Sequence, residues 1–226
     1  MATSWLSQNL VWRMPGPDVY LTFDDGPDPD ITPKLLDLLQ DSEMHATFFI
    51  VGQKIVQNAE IIRRMFEQGH AIGNHSYSHS LLLGKSKAFI LDELEKTDAA
   101  LSDITGSRPR LFRPPFGKFG LNLLRVTKQS RHKIVLWNAS VRDFAQSANS
   151  RTLGLRLIKQ AKPGRILLLH DGHTNSSKTL SALENSIEEF IRTGLVFSAL
   201  PEDFSSGQSP DSTQRNYAAT KKIGNN

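Results

Sequence analysis

Two adjacent carboxylates interrupt an apolar run near the start of the chain, in Tyr20-Leu21-Thr22-Phe23-Asp24-Asp25-Gly26-Pro27. The apolar part predicts a buried strand, and the Gly-Pro pair ends it because proline cannot donate to a β-ladder and glycine admits turn geometry. Asp24 and Asp25 are therefore expected at the rim of a sheet. Since neighbouring side chains diverge, they can serve different tasks there, such as metal ligand and proton acceptor. Taken alone, the segment fits an ordinary turn equally well.

Two histidines four residues apart, His75 and His79, follow the third predicted strand. If 76–79 forms a helical turn, both imidazoles lie on one side, an arrangement common for binding one metal ion. Such a pair by itself more often has no metal role. With Asp25 across the rim, it becomes a set of two histidines and one carboxylate. Three protein ligands leave coordination positions open, which is typical of a catalytic metal site.

Arg113 follows the fourth predicted strand, in Arg113-Pro114-Pro115-Phe116. The prolines make this segment stiff and extended, because each fixes its own φ and restricts the residue before it. One interpretation is a surface connector with an exposed arginine. The functional interpretation places Arg113 against Asp24, where it favours the ionised carboxylate, and leaves the backbone N–H of Phe116 facing the site.

His170 directly follows the sixth predicted strand, and Asp143 lies a few residues past the fifth. A hydrogen-bonded core histidine is the simplest interpretation of His170 alone. If Asp143 lies beside it, the carboxylate keeps the imidazole protonated and oriented for acid–base chemistry. Of the other histidines, we expect structural roles for His45 and His70 and a surface position for His132. The role of His173 is left open.

Alternating strands and helices connect these residues. The predicted strands cover 19–23, 46–51, 71–73, 111–112, 133–137, 165–169 and 195–200, and the predicted helices include 86–104 and 178–192. About seven strand–helix units predict an α/β fold with parallel strands; an open doubly wound sheet and a closed barrel both fit. Active sites of such folds gather at the carboxyl ends of the strands. No glycine-rich phosphate loop follows the first strand, which argues against a dinucleotide fold.

Composition bounds the remaining possibilities. The 226 residues are 38% hydrophobic and 22% charged, as in an average soluble globular protein, and lack cysteine, so disulfides and thiolate metal sites are excluded. The net charge of +4, without a clustered basic run, does not predict a nucleic-acid partner. No apolar run approaches the ~20 residues of a membrane span. The absence of a visible signal peptide favours a cytoplasmic protein, or a chain from which such a segment has already been removed.

Five segments together resemble the polysaccharide deacetylases of the NodB-homology type, carbohydrate esterase family four. They are 22–27, 75–79, 113–117, 137–144 and 167–170, they occur in the family's order, and the resemblance covers roughly 19–200. It implies a distorted (β/α) barrel of about seven parallel units around one divalent metal. We expect an N-terminal lead over 1–18, the deacetylase domain over 19–204, and a disordered, polar tail over 205–226.

The resemblance also implies roles by position. The metal ligands would be Asp25, His75 and His79. Asp24 would be the general base, positioned by Arg113, and His170 the general acid, tuned by Asp143, with the backbone N–H of Phe116 helping to stabilise the oxyanion. The substrate-binding residues would be Pro115, Phe116, Phe144 and Leu169, of which Leu169 would line the pocket for the acetyl methyl group.

The expected reaction is removal of N-acetyl groups from amino-sugar polymers or oligomers, such as peptidoglycan or chitin-like chains. Zn²⁺ is the expected metal, with Co²⁺ or Ni²⁺ as alternatives. The sequence departs from the family at Ser140, where many members have Asp, and at Phe144, where many have Trp. These differences concern substrate preference more than reaction type. The alternatives are an O-acetyl esterase such as an acetylxylan esterase, a sugar deformylase, or a catalytically dead carbohydrate-binding protein.

Overall fold

The computed structural model describes residues 9–202; the predicted tail over 205–226 lies outside them. This part of the chain contains one sheet of eight strands and seven α-helices. The strands are Leu10–Val11 (β1), Tyr20–Asp24 (β2), Ala46–Ile50 (β3), Ala71–Asn74 (β4), Leu111–Phe112 (β5), Lys133–Val135 (β6), Ala139–Ser140 (β7) and Ile166–His170 (β8). The helices are Thr32–Asp41 (α1), Ala59–Glu67 (α2), Lys87–Thr105 (α3), Leu121–Ser130 (α4), Ser150–Gln160 (α5), Ser176–Glu184 (α6) and Ile187–Thr193 (α7).

The strand order decides between the two predicted architectures. All ladders are parallel, and the order is β1-β6-β5-β4-β3-β2-β8-β7. Successive strands from β2 to β6 are neighbours and wind in one direction, whereas a doubly wound sheet reverses its direction. The sheet curls into an incompletely closed barrel, which confirms the distorted (β/α) barrel.

The N-terminal segment lies across the gap in this barrel. Leu10 pairs with Ile134 of β6. Three residues further on, the backbone of Arg13 forms an isolated antiparallel β-bridge with that of Arg165, just before β8. The N–H of Met14 donates to the carbonyl of Gly164 at 2.9 Å. The segment thus connects β6 with the amino-terminal end of β8.

Side chains alternate between the two faces of each strand, and the faces differ in character. On β2, Leu21 and Phe23 pack with the helices in the larger apolar cluster, whereas Tyr20 belongs to a smaller cluster on the inner face. Thr22 and Asp24 share this inner face. The barrel interior is therefore apolar at its base and polar towards the carboxyl ends of the strands.

Two predicted elements differ from those observed. The expected strand over 195–200 is reduced to a single bridge between Val19 and Phe197. The expected helix over 178–192 is two helices, α6 and α7, separated by Asn185 and Ser186. The hydroxyl of Ser186 donates to the carbonyl of Ala182 at 2.7 Å, and such local bonds compete with the backbone ladder of a helix. In the described part of the chain, no helix combines the length and apolarity needed to cross a membrane.

Candidate active site

Polar side chains meet at the carboxyl ends of five strands. Asp24 ends β2 and His170 ends β8, and the two residues are direct partners in the ladder. The others follow β4, β5 and β7; they are His75, Arg113 and Asp143. The convergence at one rim that the sequence predicted is therefore confirmed.

Asp25, His75 and His79 form the cluster suited to a metal ion. Asp25 Oδ1 lies 3.4 Å from His75 Nε2 and 3.0 Å from His79 Nε2, and the three ligand atoms lie within 4.8 Å of one another. Burial raises the pKa of Asp25, but its contacts with the two histidines outweigh this and hold the pKa well below its usual range. Among residues 9–202, no other group of His, Cys, Asp or Glu meets the geometry of a shared ion.

A backbone carbonyl fixes the orientation of the His75 ring on the side away from Asp25. Its Nδ1 lies 2.7 Å from the carbonyl oxygen of Arg113. Because a carbonyl only accepts, Nδ1 donates to it, and Nε2 is the ring nitrogen that faces Asp25. Two imidazole nitrogens and one carboxylate oxygen suit a divalent transition metal, and three protein ligands leave positions for substrate.

The loop between the two histidines does not form the helical turn that was one possibility from the sequence. Ser76 and His79 have positive φ angles of 65° and 55°, and Asp25 across the rim has a φ of 70°. Non-glycine residues in this region are strained, at a cost on the order of 1–3 kcal/mol each. The imidazoles face the same carboxylate because tertiary contacts impose this loop, and not because four residues make a helical turn.

Arg113 is buried at the centre of the rim and is no surface connector. Its side chain has 0% exposure, and Nη1 donates to Asp24 Oδ1 and to Thr22 Oγ1, both at 2.7 Å. The rest of the guanidinium donates to backbone carbonyls of Val135 and Leu136 at 3.2 Å. The contact between Arg113 and Asp24 expected from the sequence is present, and it keeps Asp24 Oδ1 occupied.

Asp143 binds the imidazole of His170. Oδ1 lies 2.9 Å from His170 Nδ1, and Asp143 is 1% exposed. Burial lowers the pKa of His170, but Asp143, with Asp24 and Asp25 nearby, outweighs this and raises the pKa to about 9. At neutral pH the ring therefore carries both protons, with Nδ1–H on Asp143 and Nε2–H free of it.

Two exposed aromatic side chains lie at the rim, one beside His79 and one beside His170. Phe116 is 59% exposed and meets the ring of His79 edge-on, with centroids 4.9 Å apart. Phe144 is 46% exposed and meets His170 in the same way at 5.7 Å. Pro115 is buried beside Phe116. Next to Phe116, a groove of about 240 Å³ is lined by Phe116, Gly117, Leu136 and Trp137.

Comparison with known proteins identifies the family. The model of the family described as polysaccharide deacetylase matches residues 13–135. The chain belongs to the polysaccharide deacetylase family. It is 32% identical over 208 residues to a peptidoglycan-N-acetylglucosamine deacetylase of Bacillus cereus, covering 89% of this chain and 74% of that protein. It is 35% identical over 187 residues to the peptidoglycan-N-acetylmuramic acid deacetylase PdaA of Bacillus subtilis, covering 81% and 70%.

A solved structure agrees with this assignment. The Bc1960 peptidoglycan N-acetylglucosamine deacetylase, in complex with a naphthalenyl N-hydroxybenzamide, superposes with a TM-score of 0.82 at 30% identity. The match covers 89% of this chain and 96% of that one. Deacetylases of this family are metal-dependent, and the Asp25–His75–His79 cluster is where this deacetylase offers ligands.

One residue expected in the pocket is not brought to the site. Leu169 is fully buried on the outer face of β8, in the cluster between the sheet and the helices. Side chains alternate along a strand, so Leu168 shares the inner face with His170. The position on β8 that can line an acyl pocket is therefore that of Leu168, which is 4% exposed.

The remaining histidines lie apart from the metal cluster. His132 was expected on the surface, but it is 1% exposed, because its ring lies 3.2 Å from Asp98 and 2.8 Å from Ser130 Oγ. His70 is in the core, where Nδ1 accepts from the N–H of Ala46 at 3.2 Å and burial lowers its pKa to about 3. The ring of His173 is 5.9 Å from that of His170.

Several residues that support the site were not singled out from the sequence. Thr179 on α6 donates to Asp143 Oδ2 at 3.1 Å. Lys54 Nζ donates to the carbonyl of Asp25 at 2.7 Å, where the backbone has its positive φ. Glu93 and Asp171 are buried carboxylates that contact the rim loops. The partners of these residues are distant along the chain, so no local sequence pattern marks them. The one signal in the sequence was Glu93, an acidic residue among the apolar positions of α3.

Proposed function

We propose that this deacetylase hydrolyses the N-acetyl group of amino-sugar units in a polysaccharide, releasing acetate and leaving a free amine. The observation that carries the proposal is the pairing of Asp24 with His170 across β2 and β8, beside the Asp25–His75–His79 cluster. One group is placed to take a proton and the other to give one, beside the candidate metal ligands. The relatives named as peptidoglycan deacetylases support the same reaction.

The residues that would hold the metal are Asp25, His75 and His79, and we propose Zn²⁺ as the ion. A bound divalent cation supplies positive charge that polarises an acyl carbonyl and acidifies a water molecule. Co²⁺ and Ni²⁺ suit the same nitrogen and oxygen donors and are the alternatives.

Asp24 is proposed as the general base. Its Oδ1 accepts from Nη1 of the buried Arg113 at 2.7 Å, which holds the carboxylate in position. Its Oδ2 lies 3.7 Å from His75 Nε2, at the edge of the metal cluster. The free oxygen therefore faces the place where water would attack, and it accepts the proton of that water. The attack forms a tetrahedral centre at the acyl carbon, and we assign the backbone N–H of Phe116 to its oxyanion.

His170 is proposed as the general acid. When the C–N bond breaks, the pair of electrons goes to nitrogen, and His170 Nε2–H supplies the proton that makes the amine a good leaving group. Asp143 holds the opposite ring nitrogen at 2.9 Å and stabilises the protonated ring before that transfer. The proton taken by Asp24 and the proton given by His170 balance, and acetate leaves with the oxygen of water.

Phe116 and Phe144 are proposed to bound the substrate position, with Pro115 supporting the first and Leu168 lining the acyl pocket. The two exposed rings lie beside His79 and His170, so a sugar unit between them would have its acyl group at the metal cluster. This arrangement suits a pyranose ring, whose C–H faces pack on aromatic rings. The relatives act on either N-acetylglucosamine or N-acetylmuramic acid of peptidoglycan, and we propose peptidoglycan as the substrate class.

The test is acetate release from peptidoglycan and from chitin oligomers, measured with and without a metal chelator. We expect release from peptidoglycan that stops with chelator and returns with Zn²⁺. Asp24→Asn should reduce the rate on the order of 10²–10⁴-fold while zinc binding persists, because it removes the base and leaves the ligands. Absence of acetate from both substrates, with zinc bound to the protein, would refute the proposed function.

A further inference from the structure

Glu93 is a buried carboxylate outside the residues that carry the proposed chemistry. It lies on α3 and is 5% exposed. Its Oε2 accepts from the backbone N–H groups of Tyr77 and Ser78 at 3.1 and 2.9 Å, and its Oε1 accepts from the Ser78 hydroxyl at 2.8 Å. All three bonds thus go to the loop that separates His75 from His79.

The same loop is held on its other side by the chain that follows β3. The carbonyls of Ser76 and Tyr77 accept from the N–H groups of Gly52 and Gln53, both at 2.9 Å. The approach at Gly52 is so close that an added Cβ would lie 2.8 Å from Tyr77 Cα. The loop is therefore clamped between α3 and the turn at Gly52, and Glu93 supplies the acceptors on the α3 side.

A second buried carboxylate of α3 acts one step earlier along the chain. Asp98 Oδ1 accepts from Asn74 Nδ2 at 2.7 Å, and Asn74 Oδ1 accepts from the N–H of Ser76 at 2.7 Å. Asn74 ends β4 immediately before the first histidine. Asp98 in turn is held by Arg108 at 2.7 Å. Together these bonds satisfy the backbone N–H groups of 76, 77 and 78: those of 77 and 78 donate to Glu93 of α3, and that of 76 is linked to Asp98 of α3 through the side chain of Asn74.

The two histidines depend on this loop to different degrees. His75 is also oriented directly, by the carbonyl of Arg113 on its Nδ1. For His79, the contacts at the ring are the carboxylate of Asp25 and the rings of His75 and Phe116. Its backbone has a φ of 55°. The direction in which His79 presents Nε2 is therefore set chiefly by the conformation of 76–78.

We propose that Glu93 is a positioning residue for the metal site: its hydrogen bonds to Tyr77 and Ser78 hold His79 in the orientation that completes the ligand set. This proposal rests on the metal role proposed above for His75 and His79. What this role requires of residue 93 is two acceptor oxygens that reach from α3 to the loop. It does not require a negative charge near the ion.

Two substitutions of Glu93 distinguish the effect of side-chain length from the effect of negative charge. Glu93→Asp keeps the charge but withdraws the oxygens by one methylene, whereas Glu93→Gln keeps the reach and loses the charge. A glutamine oxygen can still accept from both N–H groups while its NH₂ donates to the Ser78 hydroxyl. We expect Glu93→Asp to weaken zinc affinity about 10–100-fold, the typical effect of losing an outer-shell partner. Glu93→Gln should stay within about threefold, because only the charge assistance of the bonds is lost.

The measurement is zinc affinity, obtained by titrating the chelator-treated full-length protein with Zn²⁺ against a competing chelator. Glu95→Asp and Glu95→Gln are the matched controls, since Glu95 lies two residues further along α3 and is exposed. Urea unfolding of the metal-free proteins shows whether each variant is folded during the titration. Amide exchange at Tyr77 and Ser78 should be faster in Glu93→Asp than in Glu93→Gln.

The proposal is overturned if folded Glu93→Asp binds zinc as tightly as the parent, or if Glu93→Gln loses as much affinity as Glu93→Asp. It also fails if the parent protein binds no zinc. The zinc titration tests the positioning role of Glu93 independently of the proposed reaction, because it uses no substrate. If the variants bind zinc in the expected order and no acetate is released by the parent, the reaction is wrong and the positioning role stands.

Discussion

Asp143 contacts His170 at two points, one on the ring and one on the backbone. Its Oδ1 lies 2.9 Å from Nδ1, and its Oδ2 accepts the backbone N–H of His170 at 2.8 Å. Thr179 donates to the same Oδ2 at 3.1 Å. A single carboxylate therefore fixes both the strand end that carries the imidazole and the direction of the ring, and it is itself fixed by α6.

This pair predicts the alkaline limit of deacetylation. The pKa of His170 is raised from 6.5 to about 9 in the folded protein, so the ring stays protonated up to that pH and the acid is lost above it. Asp143→Asn removes the main cause of the raised pKa. In this variant we expect the alkaline limb of the kcat profile to move towards pH 7, with kcat at pH 8 reduced on the order of 10²-fold.

The control for this experiment is Asp103→Asn on the exposed side of α3. It makes the same chemical change and should leave the pH profile of kcat unaltered. If Asp143→Asn lowers kcat equally at every pH without moving the limb, the carboxylate orients the ring but does not set its pKa.

The buried pair of Arg113 and Asp24 predicts a large effect on stability. Both side chains are 5% exposed or less, and their atoms lie 2.7 Å apart. Arg113→Met leaves the Asp24 carboxylate buried and unpaired, so we expect the free energy of unfolding to fall by about 3–5 kcal/mol. Urea unfolding in the presence of chelator measures it.

The double variant Arg113→Met/Asp24→Asn tests the reason for that loss. Without a charge at either position, no unpaired ion remains buried, and part of the lost stability should return. If the two losses simply add, the cost lies in the missing bonds from Arg113 to the backbone of Val135 and Leu136, and not in the unpaired carboxylate.

Metal removal should lower the stability of the protein through the cluster of Asp25, His75 and His79. At zinc concentrations 100-fold above Kd, binding adds about 2.7 kcal/mol to the free energy of unfolding. We expect chelator to remove this stabilisation, and His79→Ala to abolish the response to zinc. Thermal unfolding with and without zinc measures both effects.

His173→Ala is the matched control for His79→Ala. The ring of His173 lies 5.9 Å from that of His170, so it belongs to the same rim but not to the ligand cluster. The variant should keep the full thermal shift with zinc. An equal loss in both variants would indicate zinc bound elsewhere on the rim.

The sequence predicted the rim well because its signal is local. A strand that ends at a polar residue is visible in a few letters, and parallel strands bring such ends together; Asp24, His75, Arg113 and His170 follow this rule. The two wrong positions have different causes. Leu169 and Leu168 differ by one residue, and a shift of one residue moves a strand side chain to the opposite face. His132 looked exposed because its partner, Asp98, is 34 residues away.

The supporting residues could not be predicted for the same reason. Glu93 meets Tyr77 and Ser78 across 16 and 15 residues, and Thr179 meets Asp143 across 36. No periodicity encodes such contacts. The loop that Glu93 contacts contains the positive φ angles of Ser76 and His79, which propensity alone disfavours, so this conformation occurs together with packing that only the folded chain contains.

Asp171 predicts a pH dependence of stability that is independent of catalysis. It is 1% exposed, its amide donates to the carbonyl of Asp24 at 3.2 Å, and Thr32 donates to Oδ2 at 2.6 Å. Burial raises its pKa from 3.8 to about 7. Between these values the folded protein binds a proton that the unfolded chain releases. This carboxyl therefore lowers the free energy of unfolding as pH rises through that window, by ~1.4 kcal/mol for each tenfold difference in proton affinity.

Asp171→Asn cannot titrate, so its free energy of unfolding should fall less between pH 4 and 7 than that of the parent. Asp41→Asn, at the exposed end of α1, is the matched control and should keep the parental slope. Urea unfolding of chelator-treated protein at several pH values across the window measures the three slopes. Equal slopes for the parent and Asp171→Asn would mean that the carboxyl is ionised in the folded protein at pH 5–6. Lys54, which lies close enough to lower the pKa of Asp171, would then outweigh burial.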